Sequence, residues 1–325
     1  MTKTRIKWID VCKGLGIIIV ILGHYIQTLY LNYGGIYTEI FYWIYSFHMP
    51  MFFFLSGLVY KKYTTKAFFT KKAKGLLIPV LFFSALYTLY KFVIIGDKSD
   101  LLDILMCKSD SFIHLYWFVW TLLWVQVLFF ILESITKNRF IVFILSIAVL
   151  IFCMTGNYRE NLLNLPLCIG NTLFLLPFYI AGVLAKGINF CKLIRFFVII
   201  FSMDLFICWI YKFGTSYALL AFKIWPLDYL KAILGTMILI SASIIVSKTK
   251  LLSSILQEIG KESLWIYLVH GFFFWGLFKK GINIIPQSTV AILIYTLLMT
   301  TFTILTIHFM VFIYKKWRKA ICNAL

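Results

Sequence analysis

Ten stretches of about 20 mostly apolar residues follow one another along this chain, and no other feature constrains its fold as much. They run approximately over 9–31, 37–60, 75–95, 114–134, 140–156, 167–185, 194–212, 226–247, 263–279 and 289–314. A helix of ~20 residues crosses the ~30 Å hydrocarbon core of a bilayer. Helices and closed barrels alone satisfy every backbone polar group at that depth. The runs therefore predict an all-α polytopic transmembrane helical bundle of about ten spans. Composition removes the soluble alternative. Hydrophobic residues make up 62% of the chain and charged residues 13%, against roughly 45–50% and about 25% in soluble domains. No internal repeat, low-complexity segment or long linker interrupts the series, so residues 1–325 read as a single transmembrane domain.

The net charge is +19, which in a soluble chain would suggest nucleic acid. Here the basic residues fall in the gaps between apolar runs, so no nucleic-acid partner is expected. The N-terminus, 61–74, 135–139, 186–195, 248–262 and the closing "KKWRK" hold 21 of the 31 lysines and arginines. The opposite set of loops carries Asp97, Asp100, Asp103, Asp110 and Glu160. By the positive-inside rule both termini are cytoplasmic, which an even span count requires. The first run follows Lys3, Arg5 and Lys7 and lacks a small-residue cleavage site behind it, so it is expected to remain as the first span. Seven scattered cysteines without a CxxC pair argue against a disulfide framework or a zinc site. "LLSSILQEIGKES" (251–263) is amphipathic and reads either as an interfacial helix or as a connecting loop.

Polar groups inside spans are costly, and each is a functional candidate. In "WIDVCKGLGIIIVILGHYIQ", Asp10, Lys13 and His24 share one helical stripe. Lys13 lies about −60° and His24 about −40° from Asp10, and ~16 Å of axial rise separates Lys13 from His24. Lys13 is either a functional cation or a side chain snorkelling to the interface. His24 sits in the outer half of the span, where an imidazole either acts as a general base or makes a structural hydrogen bond between helices, with the polar company on its stripe favouring the former. In "FHMPMFFFLSG" (47–57), His48 lies near the midplane and Pro50 removes a backbone donor. A broken helix at that depth lines a cavity or packs as a kink, with His48 either touching substrate or capping freed carbonyls. The stretch "KKYTTKAFFTKKAKGLLIP" has six lysines. Topology alone accounts for them, and so does a phosphate-binding patch that includes Lys71, Lys72 and Lys74. His114 and Trp117 read as an interfacial belt. Tyr267 and His270 share a helix face, with His270 taken as structural, and so is His308. HExxH, GxSxG, GxxxxGK[ST] and aspartate-rich metal motifs are absent, so no metal is expected.

"IDVCKGLGIIIVILGHY", "FHMPMFFFLSG", a basic stretch ending in "LLIP", "HLYWF", "LLPFYIAGVLAKG" (175–187) and "IGKESLWIYLVHG" (259–271) occur in that order. Together the segments resemble the acyltransferase-3 family of integral membrane acyltransferases, in particular the fucose 4-O-acetylase-like and bacterial surface-glycan O-acetyltransferases. The resemblance implies a multi-pass acyltransferase domain in the bacterial cytoplasmic membrane. Its donor would be cytoplasmic acetyl-CoA, and its acceptor a hydroxyl of a cell-surface glycan or lipid-linked sugar. The family's essential first-span histidine falls on His24. Its basic partner, usually arginine, falls on Lys13, which keeps the charge but loses the planar fork. The basic pair ahead of the third span falls among Lys71, Lys72 and Lys74. His24 would take the proton of the attacking hydroxyl or accept the acyl group itself, and Asp10 would pair with Lys13 or orient a neighbour. Two other readings stand beside this one. The first is a transporter or flippase for lipid-linked sugars, built on a discontinuous helix near the midplane; the second is a non-catalytic partner in a glycan-assembly complex.

Overall fold

The structure, a computed structural model, describes residues 5–90, 92–93, 116–156, 158–211, 217, 220–273, 277–278, 281–284 and 288–324. His114 and the acidic series Asp97, Asp100, Asp103 and Asp110 lie outside the described residues. Twelve helices carry the argument: α1 (Lys7–Tyr33), α2 (Ile36–Leu58), α3 (Thr65–Lys72), α4 (Ile78–Tyr90), α5 (Trp117–Thr136), α6 (Arg139–Thr155), α7 (Asn171–Leu184), α8 (Phe197–Ile210), α9 (Trp225–Val246), α10 (Leu251–Lys261), α11 (Ser263–Phe273) and α12 (Thr289–Ala324). No strand occurs among the described residues, as an apolar environment demands of a chain that does not close a barrel.

A described helix overlaps each of the ten expected spans, and seven are long and apolar enough to cross a bilayer. The other three are α6, α11 and α2. The first two are shorter, at 17 and 11 residues. α2 has the length, but its tyrosines, Trp43 and His48 dilute its hydropathy. The protein is therefore an all-α membrane protein with multiple spans. Two local expectations are corrected. The lysine-rich stretch after α2 is mostly helix rather than loop: α3 continues through a π-helical turn (Ala73–Leu77) into α4, because lysine is a good helix former. Trp117, read as part of an interfacial belt, is only 6% exposed and packs inside the protein.

The described chain divides into two compact units. The first comprises Met1–His48, Phe190–Lys212 and Leu234–Leu325. Within it, α1 ends at consecutive glycines with φ +62° (Gly34) and +58° (Gly35). Glycine reaches this left-handed region without a Cβ penalty, so α2 can turn back after two residues. α10 lies along α1 at backbone contact: a Cβ on Gly260 would land on the Asp10 carbonyl oxygen, and one on Gly14 on that of Leu256. Such close crossings between small residues drive helix association in membranes, where lipid removes the usual hydrophobic incentive. The amphipathic 251–263 segment is thus a packed helix, burying Leu256 and Ile259 while Leu251, Leu252 and Ile255 face outward.

The second unit comprises Met49–Asn189 and Phe213–Ile233. It uses the same device, with Gly57 and Gly182 each set against the other helix's backbone, at Tyr179 and Phe54. α5 closes on Lys137 with φ +54°, whose N–H returns to the Glu133 carbonyl at 3.1 Å. Asn138 then caps α6 through Phe140 N (3.0 Å) and Ile141 N (3.4 Å).

Candidate active site

The glycine before His24 explains how the first unit builds a polar site. With no side chain at Gly23, the α2 backbone approaches until Ile44 and the Tyr45 ring stand 3.0 and 3.4 Å from where a Cβ would be. The approach sets the Tyr45 hydroxyl 3.3 Å from His24 Nδ1. Tyr45 has one proton and donates it to Gln27 Oε1 at 2.9 Å. With that proton committed, the Tyr45 oxygen accepts from His24 when the imidazole carries its proton on Nδ1, and Gln27 also bonds the same ring. Gln27 is one helical turn after His24, and Tyr45 one turn before His48, so both helices aim their polar faces at one place.

Two further imidazoles join that place. The His270 ring lies 5.1 Å from the His24 ring, centroid to centroid, inclined at 32°. His48 packs edge-on against Tyr45 at 4.9 Å. His270 Nδ1 donates to the Tyr267 carbonyl at 2.6 Å and His48 Nδ1 to the Ile44 carbonyl at 2.7 Å. Each bond fixes a tautomer with the basic lone pair on Nε2. His270 is 1% and His48 4% exposed, while His24 keeps part of its surface open. The buried His270 Nε2 has no hydrogen-bond partner among the described residues. A buried acceptor is costly to leave unpaired. No group of three or more His, Cys, Asp or Glu side chains is placed to hold a metal ion among the described residues.

Pro50 does not break the helix. α2 runs through it from Ile36 to Leu58, and the His48 ring spends its donor on a carbonyl of its own helix. That carbonyl belongs to Ile44, not to Ser46, the residue four before Pro50 whose helical donor the proline removes.

Asp10 and Lys13 lie elsewhere. Lys13 is half-buried and ~16 Å along α1 from His24. Asp10, 3% exposed, takes Arg5 bidentately along one edge of the guanidinium, Nη2 to Oδ1 at 3.0 Å and Nε to Oδ2, and its charge also acts on Lys13. The planar fork of arginine matches a carboxylate bidentately, which an ammonium cannot do. His308, read as structural, meets the buried Glu262 at 2.7 Å.

In the second unit the expected lysines do not act as a trio. Lys71 and Lys74 line a groove of about 700 Å³ with Thr64, Lys66 and Thr70. Lys71 donates to the Tyr63 hydroxyl at 2.7 Å. Lys72 instead lies over the Phe68 ring, 5.6 Å from its centroid. Cations and hydroxyls of this kind fit the phosphates of a nucleotide-bearing donor. Sequence reasoning missed Tyr45, Gln27 and His270 as neighbours of His24. One-turn spacing was the available signal for the first two. Nothing local marks His270.

Comparison with known proteins follows the same lines. A family model described as an acyltransferase domain matches residues 6–308. The nodulation protein NolL of Mesorhizobium japonicum is 30% identical over 236 residues, covering 67% of this chain and 59% of that protein. The nodulation protein NolL of Sinorhizobium fredii is 34% identical over 120 residues, covering 35% of this chain and 33% of that protein. The chain thus spans less than two thirds of the length of either relative. No solved structure matches it.

Proposed function

Because the chain belongs to the acyltransferase domain family, we propose that it is a membrane O-acyltransferase. It moves an acetyl group from acetyl-CoA to a hydroxyl of a cell-surface or lipid-linked glycan, in the bacterial cytoplasmic membrane. The single observation that carries the reading is the gathering of Tyr45, Gln27 and His270 around the His24 ring. Tyr45 and Gln27 orient that ring, and with its proton on Nδ1 the base is Nε2. His24 Nε2 takes the proton of the acceptor hydroxyl as its oxygen attacks the thioester carbonyl. The C–O bond forms, the C–S bond breaks, and the CoA thiolate departs. His270 Nε2 and His48 Nε2 offer further acceptors for sugar hydroxyls near the same ring. Lys71 and Lys74, in their lysine- and threonine-lined groove, are assigned to the donor's phosphates, and both chain termini to the cytoplasmic side.

A positioned base is worth ~10²–10⁴-fold in rate, so His24→Ala lowers transfer by that factor while membrane abundance stays unchanged. Mass spectrometry of surface glycans compares the wild type, the variant and a deletion strain. An acetyl mass increment present in the wild type and lost in the other two supports the assignment. Undiminished acylation in His24→Ala refutes it.

A further inference from the structure

The turn between α5 and α6 builds a second cationic cavity, which the transfer chemistry does not use. It measures about 520 Å³ and is lined by Lys62, Lys137 and Arg139, with Glu133, Asn138 and two apolar side chains, Phe140 and Leu184. Glu133 is 7% exposed and saturated: Arg139 Nε donates to Oε1 at 2.6 Å, and the Tyr60 hydroxyl donates to Oε2. The Arg139 guanidinium also lies over the Tyr60 ring, 5.7 Å from its centroid. The carboxylate therefore holds the guanidinium in place and cancels one charge of three. Lys62 and Lys137 are exposed and have no anionic partner among the described residues. Asn138 already serves the first amides of α6, so the helix end is not what attracts an anion. What remains is a pre-oriented site with two uncompensated positive charges.

The surroundings distinguish a lipid from a soluble anion. The cations stand at the ends of apolar helices, beside Ile135 (72% exposed), Phe140 (60%) and Leu184 (37%). A free phosphate has no use for these side chains, whereas the acyl chains of a phospholipid cover them. Basic pockets between membrane helices on the positively charged side are suited to phosphate headgroups. We infer that the Lys62–Lys137–Arg139 cavity binds the phosphodiester headgroup of an anionic phospholipid, with its chains against Ile135, Phe140 and Leu184. This inference does not depend on the transfer reaction.

The test uses the purified full chain in neutral detergent. Binding of phosphatidylglycerol and of phosphatidylcholine in mixed micelles is followed by native mass spectrometry. Lys62→Ala with Lys137→Ala is set against Lys248→Ala with Lys250→Ala, a pair from another basic loop. Both cavity lysines are exposed, so the fold survives their loss. Each basic side chain at an anionic surface is worth about fivefold in affinity, so the cavity pair lowers phosphatidylglycerol retention by roughly 25-fold. The control pair leaves retention intact, and phosphatidylcholine binds weakly throughout. Equal retention by wild type and cavity variant overturns the site. Displacement of bound lipid by millimolar inorganic phosphate or free CoA overturns the lipid assignment in favour of a soluble phosphate ester.

Discussion

Replacing Gly260 by alanine tests the packing that holds the front half of α1. A Cβ at this position overlaps the Asp10 carbonyl oxygen and comes within 2.8 Å of the Asp10 carbonyl carbon and 2.9 Å of Gly14 N. All three obstacles are backbone atoms, so no rotamer change relieves them and α10 must withdraw. A gap of 0.5–1 Å forfeits roughly a quarter to a half of each dispersion contact along the interface. Overpacking of this kind costs about 1–3 kcal/mol. Alanine returns up to ~1 kcal/mol through helix propensity, which from the middle of that range leaves a net loss of about 1 kcal/mol. At 2–4 °C per kcal/mol the midpoint of thermal unfolding falls by roughly 2–4 °C. Size-exclusion chromatography of heated, detergent-solubilised protein measures it. Gly75→Ala is the control, since nothing lies within 4 Å of its Cβ position. Gly14→Ala meets the Leu256 carbonyl across the same crossing, so the double variant loses less than the sum of the two. Residues in direct contact couple by 0.5–3 kcal/mol. A Gly260→Ala protein as stable as Gly75→Ala, or strictly additive losses, would refute the close crossing.

Two substitutions probe the imidazole cluster. Tyr45→Phe removes the oxygen that holds the His24 Nδ1 proton; turnover falls several-fold, about the worth of one hydrogen bond of 0.5–1.5 kcal/mol. Equal turnover in a steady-state acetyl-transfer assay would show that the tautomer is set elsewhere. His270→Ala deletes the buried, unpartnered Nε2; turnover falls by about 2–10-fold if that atom accepts a hydrogen bond from the acceptor. Unchanged kcat and KM with an unchanged melting temperature would leave His270 without a part in the reaction.

Sequence alone determined the environment, the fold class and the residue types on offer. Apolar runs of span length with cations concentrated in the gaps leave a helical membrane bundle as the physical solution, and a described helix overlaps every expected span. The stripe on α1 was legible too, because helical periodicity is local. His24, Gln27 and Tyr45 could in principle be aligned from one-turn spacings, given that α2 folds back on α1. What periodicity could not supply was partner choice across long sequence separations. Asp10 took Arg5 as its hydrogen-bonding partner in addition to the nearby charge of Lys13, since a bidentate fork satisfies a carboxylate better than an ammonium on the same helix. Lys72 turned to the Phe68 ring and away from the groove that Lys71 and Lys74 line. His48 closed on a carbonyl of its own helix, and α2 ran unbroken through Pro50. The meeting of His24 with His270 depends on how α1 and α11 pack, which the period of neither helix encodes. Hydrophobicity and period act within a segment and are written in it, whereas the pairing of buried polar groups is decided by which helices become neighbours.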